Sequence, residues 1–194
     1  IVDGIAGEII VDPDLAAVDS YERRAAAHLE RRRALLGTAQ TPCVMTDGTR
    51  IRLTANIELL EELPAVIECG AEAIGLFRTE FLYLDRADLP SEEEEYQDAV
   101  TTIRGVSGRL VTFRTLDLGG DKLPLGVRIA PGPNPALGLR GIRLLATMED
   151  VLRGQLRALY RASAHGPLRI MFPLISGVDE FVRARLLCDE VRTE

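Results

Sequence analysis

From residue 50 onward, short apolar runs alternate with amphipathic stretches. The runs IRLTANI (51–57), EAIGLFR (72–78), LVTFRTLD (110–117) and LRIMFPL (168–174) read as strands. Helical periodicity lies between them, over about 58–68, 90–105 and 148–163, the last with Leu152, Leu156 and Leu159 on one face. A further helix begins near Val178 and is expected to run on to Glu194. Strands this apolar suit a parallel sheet covered by helices, which makes the fold class α/β. A doubly wound sheet and a (β/α) barrel both fit four such units, although a whole barrel takes about 250 residues.

Local signals sharpen the boundaries. Ser91 followed by Glu94 forms a capping box, and Glu92 to Glu95 sit at the positive end of that helix, so the acid run needs no metal to explain it. Upstream, residues 1–13 alternate weakly around Gly4 and Gly7, as a hairpin or the last strand of an earlier unit would. Residues 15–36 are strong helix formers closed by Gly37. The run YERRAAAHLERRR (21–33) reads as a salt-laced solvated face, with His28 on the surface. Residues 117–143 are rich in Gly and Pro and too long for an ordinary connection, which marks a functional loop.

Composition excludes several classes of function. With 46% apolar and 27% charged residues over 194 positions, the chain is globular and can build a sizeable core. No apolar run reaches the roughly 20 residues of a bilayer span, and the N-terminal stretch lacks the basic region of a signal peptide. Without an initiating Met, the chain is expected to be a piece of a longer protein. Cys43, Cys69 and Cys188 are scattered and odd in number, which suits a reducing, cytoplasmic setting and structural roles. A net charge of −7 disfavours nucleic acid as a partner.

The candidate chemistry gathers where parallel strands end. Asn56 follows the first strand and Arg78-Thr79-Glu80 the second. Arg114-Thr115-Leu116-Asp117 follows the third, and the long loop adds Asp121, Lys122, Arg140 and Arg143. Several guanidinium forks at one rim suit a carboxylate or phosphate ligand and can stabilise charge on a transferring phosphoryl group. Either Arg78 or Arg114 alone could equally be a structural ion-pair partner of Glu80 or Asp117. The recurrence of the Phe-Arg-Thr sequence beside a Gly-rich loop carrying Lys122 favours the anion site. GGDK (119–122) lacks the spacing of a Walker A loop. Pro135 and Gly138 are expected to shape the backbone that delivers Arg140.

Four segments, GLFRTEFLYLDRADLPSEEEEY (75–96), FRTLDLGGDK (113–122), NPALGLRGIR (134–143) and LRIMFP (168–173), resemble the phosphoenolpyruvate-binding barrel of the enzyme I family. These are the phosphoenolpyruvate–protein phosphotransferases of bacterial sugar uptake. The resemblance implies the first half of a TIM (β/α)8 barrel over residues 43–194, preceded by a helical linker (15–42). VDGIAGEIIVDP (2–13) resembles the exit of the family's swivelling phosphohistidine domain, placed here over residues 1–14. It further implies that Arg78 and Arg114 grip the phosphate and carboxylate of phosphoenolpyruvate, and that Arg140 lies near the transferring phosphoryl group. Asn56, Lys122 and Arg143 become supporting substrate-binding residues. Mg²⁺, a histidine phosphocarrier protein and a homodimer formed through the barrel belong to the same expectation. The metal ligands, the phospho-accepting histidine and a proton-donating cysteine lie elsewhere in that family, so this piece alone is expected to be inactive, with Cys188 and His165 outside those roles. Half a barrel would also leave exposed edges on its first and last strands.

Three other readings remain at this level. One is a nitrogen-regulatory paralogue, and another is a related enzyme such as pyruvate phosphate dikinase or phosphoenolpyruvate synthase. The third is a non-catalytic module that uses the anion-binding rim for regulation.

Overall fold

The computed structural model describes residues 1–84, 86, 88–117 and 138–194. It divides into two compact units, Ile1–Pro42 and Cys43–Glu194. In the first, β1 (Val2–Asp3) and β2 (Glu8–Ile9) form an antiparallel hairpin that leads into α1 (Leu15–Leu36). The Asp14 side chain caps α1 by accepting from Ala17 N at 2.7 Å. No residue of α1 is buried, as its mixture of arginine and glutamate led one to expect, and His28 is exposed. Arg24 reaches back to Asp3 at 2.5 Å, tying helix to hairpin within this unit.

The second unit opens with a hairpin, β3 (Cys43–Val44) against β4 (Arg50–Ile51), turning at Gly48 with φ +87°. The strand expected over 51–57 is therefore two elements: Ile51 belongs to the hairpin and β5 covers Thr54–Ile57. The Asp47-Gly48 pair causes this, because the Asp47 carboxylate accepts from Thr49 N at 2.8 Å and closes a turn that only glycine suits.

Four parallel strands follow, in the order β5, β6 (Ala73–Arg78), β7 (Val111–Arg114) and β8 (Leu168–Met171). Each strand lies beside its predecessor, so the order never reverses as it would at the switch point of a doubly wound sheet. The α/β class with strands and helices in alternation is thus the one expected. The β5–β6 contact is close: a Cβ added at Gly75 would come within 2.3 Å of Thr54 Oγ1.

Helices cover one face of this sheet. Ile57, Phe77, Val111 and Phe113 pack against Leu63 and Val66 of α2 (Leu63–Glu68), Val100 and Ile103 of α3 (Glu92–Gly105), and Leu159 of α5 (Glu149–Ala162). A second apolar cluster joins Tyr83, Leu116 and the short α4 (Ile142–Leu145) to Leu152 and Leu156 of α5 and to Leu187 of α6 (Val178–Val191). The expected helix over 58–68 is a 3-10 turn, Leu60–Glu62, followed by α2, whose first turn accommodates Pro64. α6 stops at Val191 instead of continuing to Glu194, and the Thr193 hydroxyl donates to the Glu190 carbonyl at 2.6 Å.

The four glutamates that start α3 divide their work. Glu92 binds Arg157 and Arg161 of α5 at 2.7 and 2.9 Å, and Glu93 binds Arg161 at 2.6 Å. Glu94 completes the capping box, and the Ser91 N–H, first among several donors, holds its carboxyl down at about 2. Glu95 is buried and bonded to the Tyr83 hydroxyl, and loss of solvent pushes its carboxyl up to about 8. The folded protein therefore keeps a proton on Glu95 that the unfolded chain releases above about 4.5. This contribution favours folding at low pH and is lost progressively as the pH rises from about 4.5 to about 8. Glu95→Gln should gain stability relative to the parent as the pH is raised from 5 to 8, by more than about 1 kcal/mol. Urea unfolding at the two pH values measures it; parallel stability profiles would rule out the buried proton.

Candidate functional site

Parallel pairing sets the site. Phe77 lies opposite Phe113 and Arg78 opposite Arg114, so the repeated Phe-Arg pair falls in register on adjacent strands. The phenylalanines bury themselves toward the helices with ring centroids 5.3 Å apart. Alternation then sends the arginines to the other side of the pleat, at the C-terminal ends of both strands. Neighbouring parallel strands are only about 4.8 Å apart, so two guanidinium groups at this position need counter-charges.

Three carboxylates supply them. Arg78 Nη1 donates to Glu58, just beyond β5. Arg114 Nη2 donates to Glu80 Oε1 at 2.5 Å, and its Nη1 lies 3.6 Å from Asp117 Oδ2. Glu80 Oε1 also accepts from Asp117 N at 3.1 Å, and Asp117 Oδ1 accepts from Arg140 Nε at 3.2 Å. Asp117 thus links Arg114 to Arg140. Gly141, with φ +53°, lets the chain pass close to this aspartate, because a Cβ there would meet Asp117 Oδ1 at 3.3 Å. The backbone is fastened as well, since Thr79 Oγ1 donates to the Arg114 carbonyl at 3.0 Å.

The pairs differ in burial. Glu58 is 31% exposed and its partner Arg78 41%, whereas Glu80 and Asp117 are 10% and 7% exposed. A half-exposed pair is worth at most about 1 kcal/mol, and so exchanges its partner readily. The buried Arg114 pair holds its geometry. Arg114 Nε and Glu80 Oε2 are buried without a partner among the described residues, so this corner retains polar capacity.

Of the residues singled out from sequence, Arg78, Arg114 and Arg140 converge on one corner of the sheet. Asn56 is exposed near the C-terminal end of β5, paired in register with Leu76. Arg143 donates to the Gly138 carbonyl at 3.1 Å and lies 3.4 Å from Glu180 of α6. Lys122 and Asp121 lie outside the described residues. Glu58 escaped the sequence reading; its only signal was a carboxylate two residues beyond Asn56, and strand register was needed to bring it to Arg78. Within this unit His165 is away from the corner, hydrogen-bonded to the Tyr96 hydroxyl at 2.9 Å; His28 belongs to α1 of the other unit. Cys188 is buried in α6, where burial raises its thiol above the ordinary range.

A cavity of about 230 Å³ opens on the helix side of Arg78, lined by Leu60, Phe81, Phe113, Glu61, Glu95 and Asp98. Arg78 and Glu58 also line it, so the cavity adjoins the arginine rim. Among the described residues no group of three or more His, Cys, Asp or Glu is placed to hold a metal ion. Glu80 and Asp117, the nearest pair of carboxylates, are already engaged by arginines, and this donor set does not fit Mg²⁺, which demands near-octahedral oxygen ligation. Among the described residues no helix is long and apolar enough to cross a membrane.

Replacing Glu80 by alanine removes the acceptor shared by Arg114 and Asp117 N. It should cost about 3 kcal/mol in urea unfolding, as expected for one partner of a buried pair. A loss near zero would mean that Glu80 does not anchor the corner.

Residues 33–194 match the family model described as the phosphoenolpyruvate-binding domain of phosphoenolpyruvate-utilising enzymes. Relatives include proteins named phosphoenolpyruvate-protein phosphotransferase from Priestia megaterium, Bacillus subtilis (strain 168) and Latilactobacillus sakei. They are 44%, 42% and 40% identical over 100%, 96% and 100% of this chain. The chain covers 34%, 33% and 34% of those proteins, about a third of their length.

Proposed function

The chain belongs to the phosphoenolpyruvate-utilising enzymes through their phosphoenolpyruvate-binding domain, and on that premise we propose that it is part of a phosphoenolpyruvate–protein phosphotransferase. The in-register pair of Arg78 and Arg114, joined to Arg140 through Asp117, is the observation that carries this reading. Phosphoenolpyruvate bears a carboxylate and a phosphate on one small frame, and adjacent guanidinium groups match two such anions.

The three arginines carry different loads in this proposal. Arg114, oriented by Glu80 and Asp117, is the fixed arm of the clamp. Arg78 is the exchangeable arm: an incoming anion takes the place of the half-exposed Glu58 carboxylate. Arg140 stands by the phosphoryl group, where positive charge stabilises the oxygens as the bond to the enol oxygen breaks. Asn56, Lys122 and Arg143 have supporting roles. The phosphoryl acceptor is a histidine of another part of the intact protein, and a histidine phosphocarrier protein receives the group next. Mg²⁺ finds no matching donor set among the described residues, so we assign it no ligand here.

By the same reading, residues 1–14 leave a phosphohistidine domain, 15–42 link it onward, and 43–194 supply the first four βα units of a TIM barrel. This piece would be inactive alone, and the intact protein would be a cytoplasmic homodimer. Charge-assisted hydrogen bonds are worth about 1.5–3 kcal/mol each, so Arg78→Ala and Arg114→Ala should each weaken phosphoenolpyruvate binding by tenfold or more. Calorimetry on the intact protein measures this. Unchanged affinity with lowered thermal stability would reduce both arginines to structural ion-pair partners.

A further inference from the structure

Gln155 stands in the middle of α5 on the face that carries Leu152, Leu156 and Leu159, and is 2% exposed. An amide so placed must satisfy its polar groups, and leucine would fill the position without that demand. Its two ends bind two different strand corners. Oε1 accepts from Leu116 N at 2.9 Å, between Arg114 and Asp117, and Nε2 donates to Thr79 Oγ1 at 3.2 Å, next to Arg78. Thr79 in turn donates to the Arg114 carbonyl at 3.0 Å. One side chain from a covering helix thus spans both Arg-Thr corners and closes a chain of hydrogen bonds between them.

We infer that Gln155 is a positioning residue that sets the separation of the Arg78 and Arg114 arms, and with it the fit of phosphoenolpyruvate. The inference rests on the proposed reading of the rim as the site for that ligand. Gln155 touches no ligand; it acts through Thr79 and the Leu116 backbone. Because small misplacement of binding groups is costly in a two-armed site, a change at Gln155 should appear in ligand affinity and not only in stability.

Two variants of the intact protein test this, each with thermal unfolding and calorimetric titration of phosphoenolpyruvate. Gln155→Met is close in volume and adds no charge, while removing both the amide donor to Thr79 and the acceptor for Leu116 N. Thr79→Val breaks the same chain from the half-buried end, removing both the bond from Gln155 and the bond to the Arg114 carbonyl, and decides the matter if the Gln155 variant does not fold. Each should raise the Kd about tenfold, and the double variant should bind no more weakly than the worse single one, since both break one linkage. Folded variants that lose thermal stability yet keep a Kd within twofold of the parent would overturn the inference. Arg78→Ala and Arg114→Ala serve as controls: if they leave affinity unchanged, the reading of the rim itself has failed.

Discussion

Two arginines side by side on adjacent parallel strands are the constraint around which this unit is organised. Alternation and register put Arg78 and Arg114 on the same side of the sheet at the same level. Like charges so close would force the strand ends apart unless carboxylates stood between and beside them. Glu58, Glu80 and Asp117 do so, each from a different point in the chain. Among the described residues, three guanidinium groups, counting Arg140, are thereby balanced by three carboxylates.

The balance is uneven. Glu80 and Asp117 are nearly buried and hold Arg114 through both side-chain and backbone bonds, while Glu58 and Arg78 are open to solvent. In the proposed clamp, burial makes Arg114 the rigid arm and Arg78 the exchangeable one. Elements far from the rim serve the same end: the capping box starts α3, and arginines of α5 lock onto Glu92 and Glu93. These contacts hold in place the helices that support the strand ends.

Much of this was legible in sequence. The Phe-Arg-Thr repeat announced two equivalent strand ends, and Ser91 with Glu94 marked a helix start that the structure contains. The leucine stripe of α5 was equally plain. Turn chemistry and long-range pairing were harder to read. Asp47-Gly48 split one expected strand into a hairpin and a strand, although the dipeptide was in view. Glu95 could not be distinguished from Glu92, Glu93 and Glu94 by composition; only its angular position on α3, facing Tyr83, made it a buried acid. Glu58 and Gln155 became meaningful only when register and packing brought them to residues 20 and 76 positions away.

The clamp is tested most directly by a crystal structure of the intact protein with phosphoenolpyruvate bound. The ligand's two anionic groups should lie against Arg78 and Arg114, with the Glu58 carboxylate displaced from Arg78 and the Glu80–Arg114 pair retained. Phosphoenolpyruvate bound elsewhere, or bound while Arg78 still holds Glu58, would contradict it.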